Sequence, residues 1–272
     1  MAALGAAFQD REVSAVDDSQ AKGWRLLWAS LKRPMWIAGL AVMGAAPIFQ
    51  FLALRVGNLT QVQPMLTTEL LFLLGIIMVT HHDRPGPREW LGSFGIVLGL
   101  ALFLVAANPH GGQKHLTQHW AWGLSACAVV VVLGFFLLSK KTTGWVEAAL
   151  LGAAAATCFA YQAAMTQVIA GVGAGQIISS PALYGLAVGG LLGFVLFQHA
   201  LRAGHVAASR ASMVIVDPLL SVLIGIVAFN DVLRRGPLSV VGEVLGLVIL
   251  LIGAQRLATS TMLVQLHEVE NV

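Results

Sequence analysis

Charge is scarce in this chain. Asp, Glu, Lys and Arg make up 11% of its 272 residues, less than half of the roughly 25% usual in soluble domains, and a water-soluble globule is excluded on that ground. Cysteine is scarcer still: Cys127 and Cys158 are the 2 present, both inside apolar runs, with no CxxC spacing to frame a disulfide scaffold or a metal site. Basic residues lie singly or in pairs between apolar runs, so the net charge of +3 describes no basic patch for nucleic acid. No nucleophile with its base, phosphate loop or metal motif stands out, which argues against an enzyme and a resident cofactor. The histidines of "HHD" at 81–83 and His110, His115 and His119 have no firm ligand spacing, so a metal assignment stays unknown.

Apolar residues are abundant. They form 57% of the chain, and the mean hydropathy is +0.81. Runs long enough to cross a hydrocarbon layer about 30 Å thick recur at 36–56, 60–80, 89–107, 120–138, 145–168, 178–200, 207–229 and 238–257. The opening "MAALGAAF" would cover about 12 Å as a helix and reads as a ninth span cut short. No basic n-region precedes it, so a signal peptide is disfavoured. The expectation is an all-α, multi-pass membrane protein of about nine spans.

Loop charges set an expected orientation. Arg11, Lys22, Arg25, Lys32, Arg33, Arg84, Arg88, Lys140, Lys141, Arg202, Arg210 and Arg256 fall on one side of this topology, and Arg55, Lys114, Arg234 and Arg235 on the other, twelve and four of the 16 Lys and Arg. The positive-inside rule puts the N-terminus outside and the C-terminal tail, 258–272, in the cytoplasm of a cell membrane. In "KGWRLLWASLK", Trp24, Leu27, Trp28 and Leu31 share one helical face, so 21–32 is expected to lie along the inner surface.

The halves of the chain resemble one another. "GLAVMGAAPIFQFLALRVG" from Gly39 matches "GLAVGGLLGFVLFQHALRAG" from Gly185, "VQP" at 62–64 faces "VDP" at 216–218, and "GP" at 86–87 faces "GP" at 236–237. The expected organisation is a first repeat over 1–108, a linker helix over 118–138, and a second repeat over 145–257. A shift of five spans turns one repeat upside down relative to the other, the plan on which many secondary transporters are built. By the same match, the start of the first helix is expected about eight residues before Met1.

Two acids fall near the centres of spans: Glu69 in the third and Asp217 in the eighth. An ionised acid there costs about 2.5–3.5 kcal/mol, so it faces a cavity or a partner as a rule. No Lys or Arg lies at matching depth, which leaves a bound proton or a travelling cation to neutralise them. Pro64 and Pro218 stand beside these acids as helix kinks, each freeing one carbonyl. Gln63, Thr67 and Thr68 gather at the first kink, and Gln162 and Tyr161 add polar groups from the sixth span. These residues, with both acids, are the expected substrate or coupling-ion site. His199, Gln198, Gln50, Thr166 and Gln167 are plainer interhelical hydrogen-bonding groups. Gly92, Gly95 and Gly99, with Gly242, Gly246 and Gly253, make small-residue faces that either pack the halves or pair two subunits as a homodimer.

"RPMWIAGLAVMGAAPIFQFLALRVGNLTQVQPMLTTELLF", "REWLGSFGIVLGLALFLVA", "DPLLSVLIGIVAFNDVL" and "GEVLGLVILLIGA" resemble the drug/metabolite transporter (EamA-like) superfamily, in particular its actinobacterial-type members and the related NIPA-like magnesium transporters. The stretch from Pro218 to Asp231 is similar to that group's P-x-x-x-x-x-x-G-x-x-x-F-x-E pattern, with Asp231 in place of glutamate. The resemblance implies a lipid-embedded carrier working by alternating access on a small metabolite, drug-like compound or ion. Magnesium or another divalent cation is the alternative cargo, and a non-transporting membrane scaffold is the rival from another class.

Overall fold

The computed structural model describes residues 47–80 and 85–260. Within them the chain runs α1 (Pro47–Val56), α2 (Leu59–Leu66), α3 (Glu69–Thr80), α4 (Pro87–Ala107), β1 (His110–Gly111), α5 (Gln118–Ser139), α6 (Trp145–Gly171), α7 (Pro181–Arg202), α8 (Val206–Ala228), β2 (Asp231–Val232) and α9 (Pro237–Ala258). Six of these, α4 through α9, are long and apolar enough to cross a membrane. The protein is an all-α membrane protein. The opening helix, the surface segment 21–32, the "HHD" loop and most of the tail lie outside the described residues.

The six spans start where their sequences say a helix can. Pro87, Pro181 and Pro237 each occupy the first turn, where the missing N–H would have had no intrahelical partner. The seventh span, expected from 178, begins at Pro181 because Ala174–Gln176 form a separate 3-10 turn. The third span, expected as one kinked helix over 60–80, is two helices with Thr67 and Thr68 between them.

Helix α6 is the centre of the molecule. It is buried along most of its length, whereas α5 is buried almost nowhere, and it packs against α5, α7 and α8. Its "GAAAATC" run explains the position: with no hydrophobic drive between helices in lipid, close backbone approach decides who packs where. At Gly152 an added Cβ would lie 2.5 Å from the Ser209 carbonyl oxygen of α8. On the far side of the molecule α4 and α9 lie together through the two glycine faces: a Cβ on Gly253 would stand 2.6 Å from the Ile96 nitrogen, and one on Gly92 3.0 Å from the Gly253 oxygen. The glycine faces therefore join two helices of the same chain.

Loops that the topology sends to one end meet there. Strand β1 pairs antiparallel with β2, His110 opposite Val232 and Gly111 opposite Asp231. The Gln113 N–H donates to the Phe229 carbonyl and the Arg234 N–H to that of Ala107, both at 2.7 Å, and the Lys114 ammonium donates to the Arg55 carbonyl. At the opposite end the Arg88 guanidinium donates to Thr259 Oγ1 at 2.9 Å, and Gly144 lies beside His205.

Candidate functional site

The interruption between α2 and α3 is built by four adjacent residues. Pro64 is fully buried inside α2, and its ring removes the donor that would have met the Thr60 carbonyl. Three residues on, the Thr67 N–H and Oγ1 both donate to the Pro64 carbonyl, at 3.3 and 2.6 Å; Thr68 does the same to Met65, at 3.1 and 2.7 Å. Carbonyls left open by the end of α2 are thus covered by the hydroxyls together with the N–H groups of a tight turn that leads into α3. Helix α3 then begins at Glu69, whose side chain is exposed, while Gln63 on the other side of the break is buried.

The second proline helix packs against the first. Pro218 is buried inside α8, and Asp217 beside it is half-buried. The fully buried Ser221 Oγ donates to Asp217 Oδ1 at 3.3 Å, one turn further along. Thr60 of α2 donates through Oγ1 to the Val222 carbonyl at 3.5 Å, the next residue of α8. The expected site residues therefore do not form one cluster. Pro64, Gln63, Thr67, Thr68 and Glu69 surround the break in α2 and α3, whereas Pro218 and Asp217 lie on α8.

Tyr161 and Gln162 belong to a third place, the contact of α6 with α7. A Cβ on Gly185 would lie 2.9 Å from the Tyr161 hydroxyl, and one on Gly190 3.1 Å from Gln162 Oε1. A cavity of about 480 Å³ opens between α5, α6 and α7. Tyr161, Ser125, Gln118 and Ser180 contribute its polar groups, and Trp122, Met165 and Val168 much of its apolar wall. Of the expected site residues, its lining includes Tyr161 alone. Among the described residues no three His, Cys, Asp or Glu side chains converge as a metal site would need.

The residue missed by sequence reasoning as a site element is Asp231. It is 5% exposed, and its Oδ2 accepts from the Thr60 N–H at 3.2 Å. Thr60 is the second residue of α2, whose N-cap Asn58 makes no side-chain cap; the acid that satisfies this helix end comes from 171 residues away. Burial raises the Asp231 pKa, and the hydrogen bonds from Thr60 oppose the shift. Its other oxygen, Oδ1, has no hydrogen-bond partner, and Gly112 packs so close to it that no side chain fits there. Gly225 of α8 is pressed against Thr60 and Asp231 in the same way, and Phe229 is fully buried beside them. The Gly225, Phe229, Asp231 spacing is therefore the footprint of α8 and β2 on the start of α2. Nearby, burial and then Arg55 lower the Lys114 pKa.

Over 238 residues the chain is 25% identical to an uncharacterized protein of Corynebacterium glutamicum, covering 86% of this chain and 82% of that protein. No protein-family model matches the chain. No solved structure matches it.

Proposed function

We propose that the protein is a secondary transporter in which α2, α3 and α8 are the moving parts. The observation that carries this reading is the packing of α2, which ends at the break before Glu69, on α8, an unbroken helix that carries Pro218 next to Asp217; the two meet at Thr60 and Val222. Broken helices at membrane depth occur where backbone lines a cavity or is held by protein, and in carriers they hold the cargo. Asp217 and Glu69 are the groups that take up and release a proton or cation as the cargo passes.

The inverted repeat expected from the sequence belongs to the same proposal: under it α4 corresponds to α9 and the α2–α3 pair to α8, and α4 packs on α9 as α2 packs on α8. Contacts of like with like are what a pseudo-twofold axis in the membrane plane requires. The fold is then of the drug/metabolite transporter kind, in the cell membrane, with Arg55, Lys114, Arg234 and Arg235 at the outer end. A metabolite or drug-like compound is preferred to magnesium as cargo, since an octahedral cage needs more oxygen ligands than two acids supply.

The test is solute-driven flux in proteoliposomes carrying a trapped pH dye, screened over neutral and cationic metabolites. Wild type should move protons with at least one solute, and Asp217→Asn should abolish that movement. Glu69→Gln should reduce it. Transport that survives both substitutions unchanged would remove the proposed site.

A further inference from the structure

The cavity between α5, α6 and α7 has a built chemistry of its own. Helices α5 and α7 each lie against α6 and have no extended contact with one another, so α6 forms the back wall and a gap stands between the flanking helices. At about 480 Å³ the space falls within the roughly 300–1,000 Å³ of small-molecule sites. None of the described lining residues is charged. Trp122, 70% exposed, stands at the gap, as aromatic side chains do at the polar boundary of a bilayer.

Its hydrogen bonds fix what a ligand must bring. Ser125 Oγ lies 2.8 Å from the Ala121 carbonyl, which can only accept, so the serine proton is spent there. The Tyr161 hydroxyl lies 3.0 Å from the same Ser125 Oγ, and with that proton spent Tyr161 must be the donor of the pair. Both protons are then engaged. What the pair turns toward the cavity is lone pairs, and a ligand satisfies them by donating. A cationic donor would enter with no carboxylate to meet it, at a desolvation cost that a neutral hydroxyl or amide avoids.

We propose that this cavity binds an uncharged amphiphile from the membrane, its hydroxyl or amide N–H donated to Tyr161 and Ser125 and its apolar body laid against Trp122, Met165 and Val168. The site is separate from Glu69 and Asp217, and binding there does not depend on the transport reading.

Quenching of tryptophan fluorescence tests it, with three bromoalkyl probes of one medium chain length: a primary alcohol, its methyl ether and a trimethylammonium salt. With full-length protein in nanodiscs the alcohol should quench saturably and bind about three- to tenfold more tightly than the ether, the worth of one hydrogen bond. Tyr161→Phe, which keeps the ring against Gly185 and Gly189, should erase that difference, and Trp122→Phe should remove most of the saturable signal. Val168→Phe should fill the space and abolish saturation; Ala121→Leu fills it from α5 should the first variant fail to fold. Equal, non-saturating quenching by alcohol and ether, or tightest binding by the ammonium salt, would overturn the proposal. Asp217→Asn should leave binding intact, so flux lost with binding preserved, or the reverse, separates the two ideas.

Discussion

Asp231 does two jobs: its carboxyl satisfies the buried Thr60 N–H, and its backbone pairs β2 with β1. Asp231→Ala leaves that N–H without an acceptor, a loss of about 1–3 kcal/mol, which a lower midpoint of thermal unfolding in detergent would register. Asp231→Asn keeps an acceptor and should cost less. The pair also differs with pH. Burial raises the Asp231 pKa above its ordinary 3.8, so the folded chain prefers the protonated acid; that contribution is complete below 3.8 and is lost as pH rises through the raised value. Midpoints measured from acid to neutral pH should show wild type losing stability relative to Asp231→Asn as pH rises. A difference that stays constant, or runs the other way, would mean the carboxyl is not buried as described.

At the scale of helices, the α4 and α9 contact is the sharpest test, because the two backbones meet with no side chain between them. Gly253→Val must push the pair apart, costing about 1–3 kcal/mol or more; Gly134→Ala on α5, with nothing within 4 Å of its Cβ, should be neutral or stabilising by up to about 1 kcal/mol. The same thermal assay compares them. The six long spans were legible in the sequence because hydrocarbon thickness sets their length; their starts at Pro87, Pro181 and Pro237 were placed one to three residues off, since apolar runs do not mark the first turn. The break at Thr67 and Thr68 was legible as a kink, from Pro64, but its completeness was not: it depends on two hydroxyls turning back on the chain, which spacing alone does not announce. Tyr161 was singled out as polar; that it shares a cavity with Ser125 depends on how α5 leans on α6. The capping of α2 by Asp231 was hidden for a different reason, since a helix end satisfied from a distant strand leaves no local pattern, though the Gly225, Phe229, Asp231 spacing carried its trace.

For the whole molecule, the two ends can be told apart by labelling. On a background without Cys127 and Cys158, cysteine at His110 should react with an impermeant reagent from the side opposite to cysteine at His205; equal labelling of both from one side would contradict the through-membrane topology. A disulfide between cysteines at His110 and Val232, which face each other across the β pair, should hold that end closed and stop flux until a reductant is added. The pairing of Thr60 with Asp231 also bears on biogenesis. A nascent chain inserts from its beginning, so α2 enters the bilayer long before the acid that completes its first turn has been synthesised. Loop closure over that separation is slow and comes late, and until then one donor at the helix start must borrow water or a lipid oxygen. The first turn of α2 is therefore provisional, and β2, made long after it, is the strand that makes it permanent.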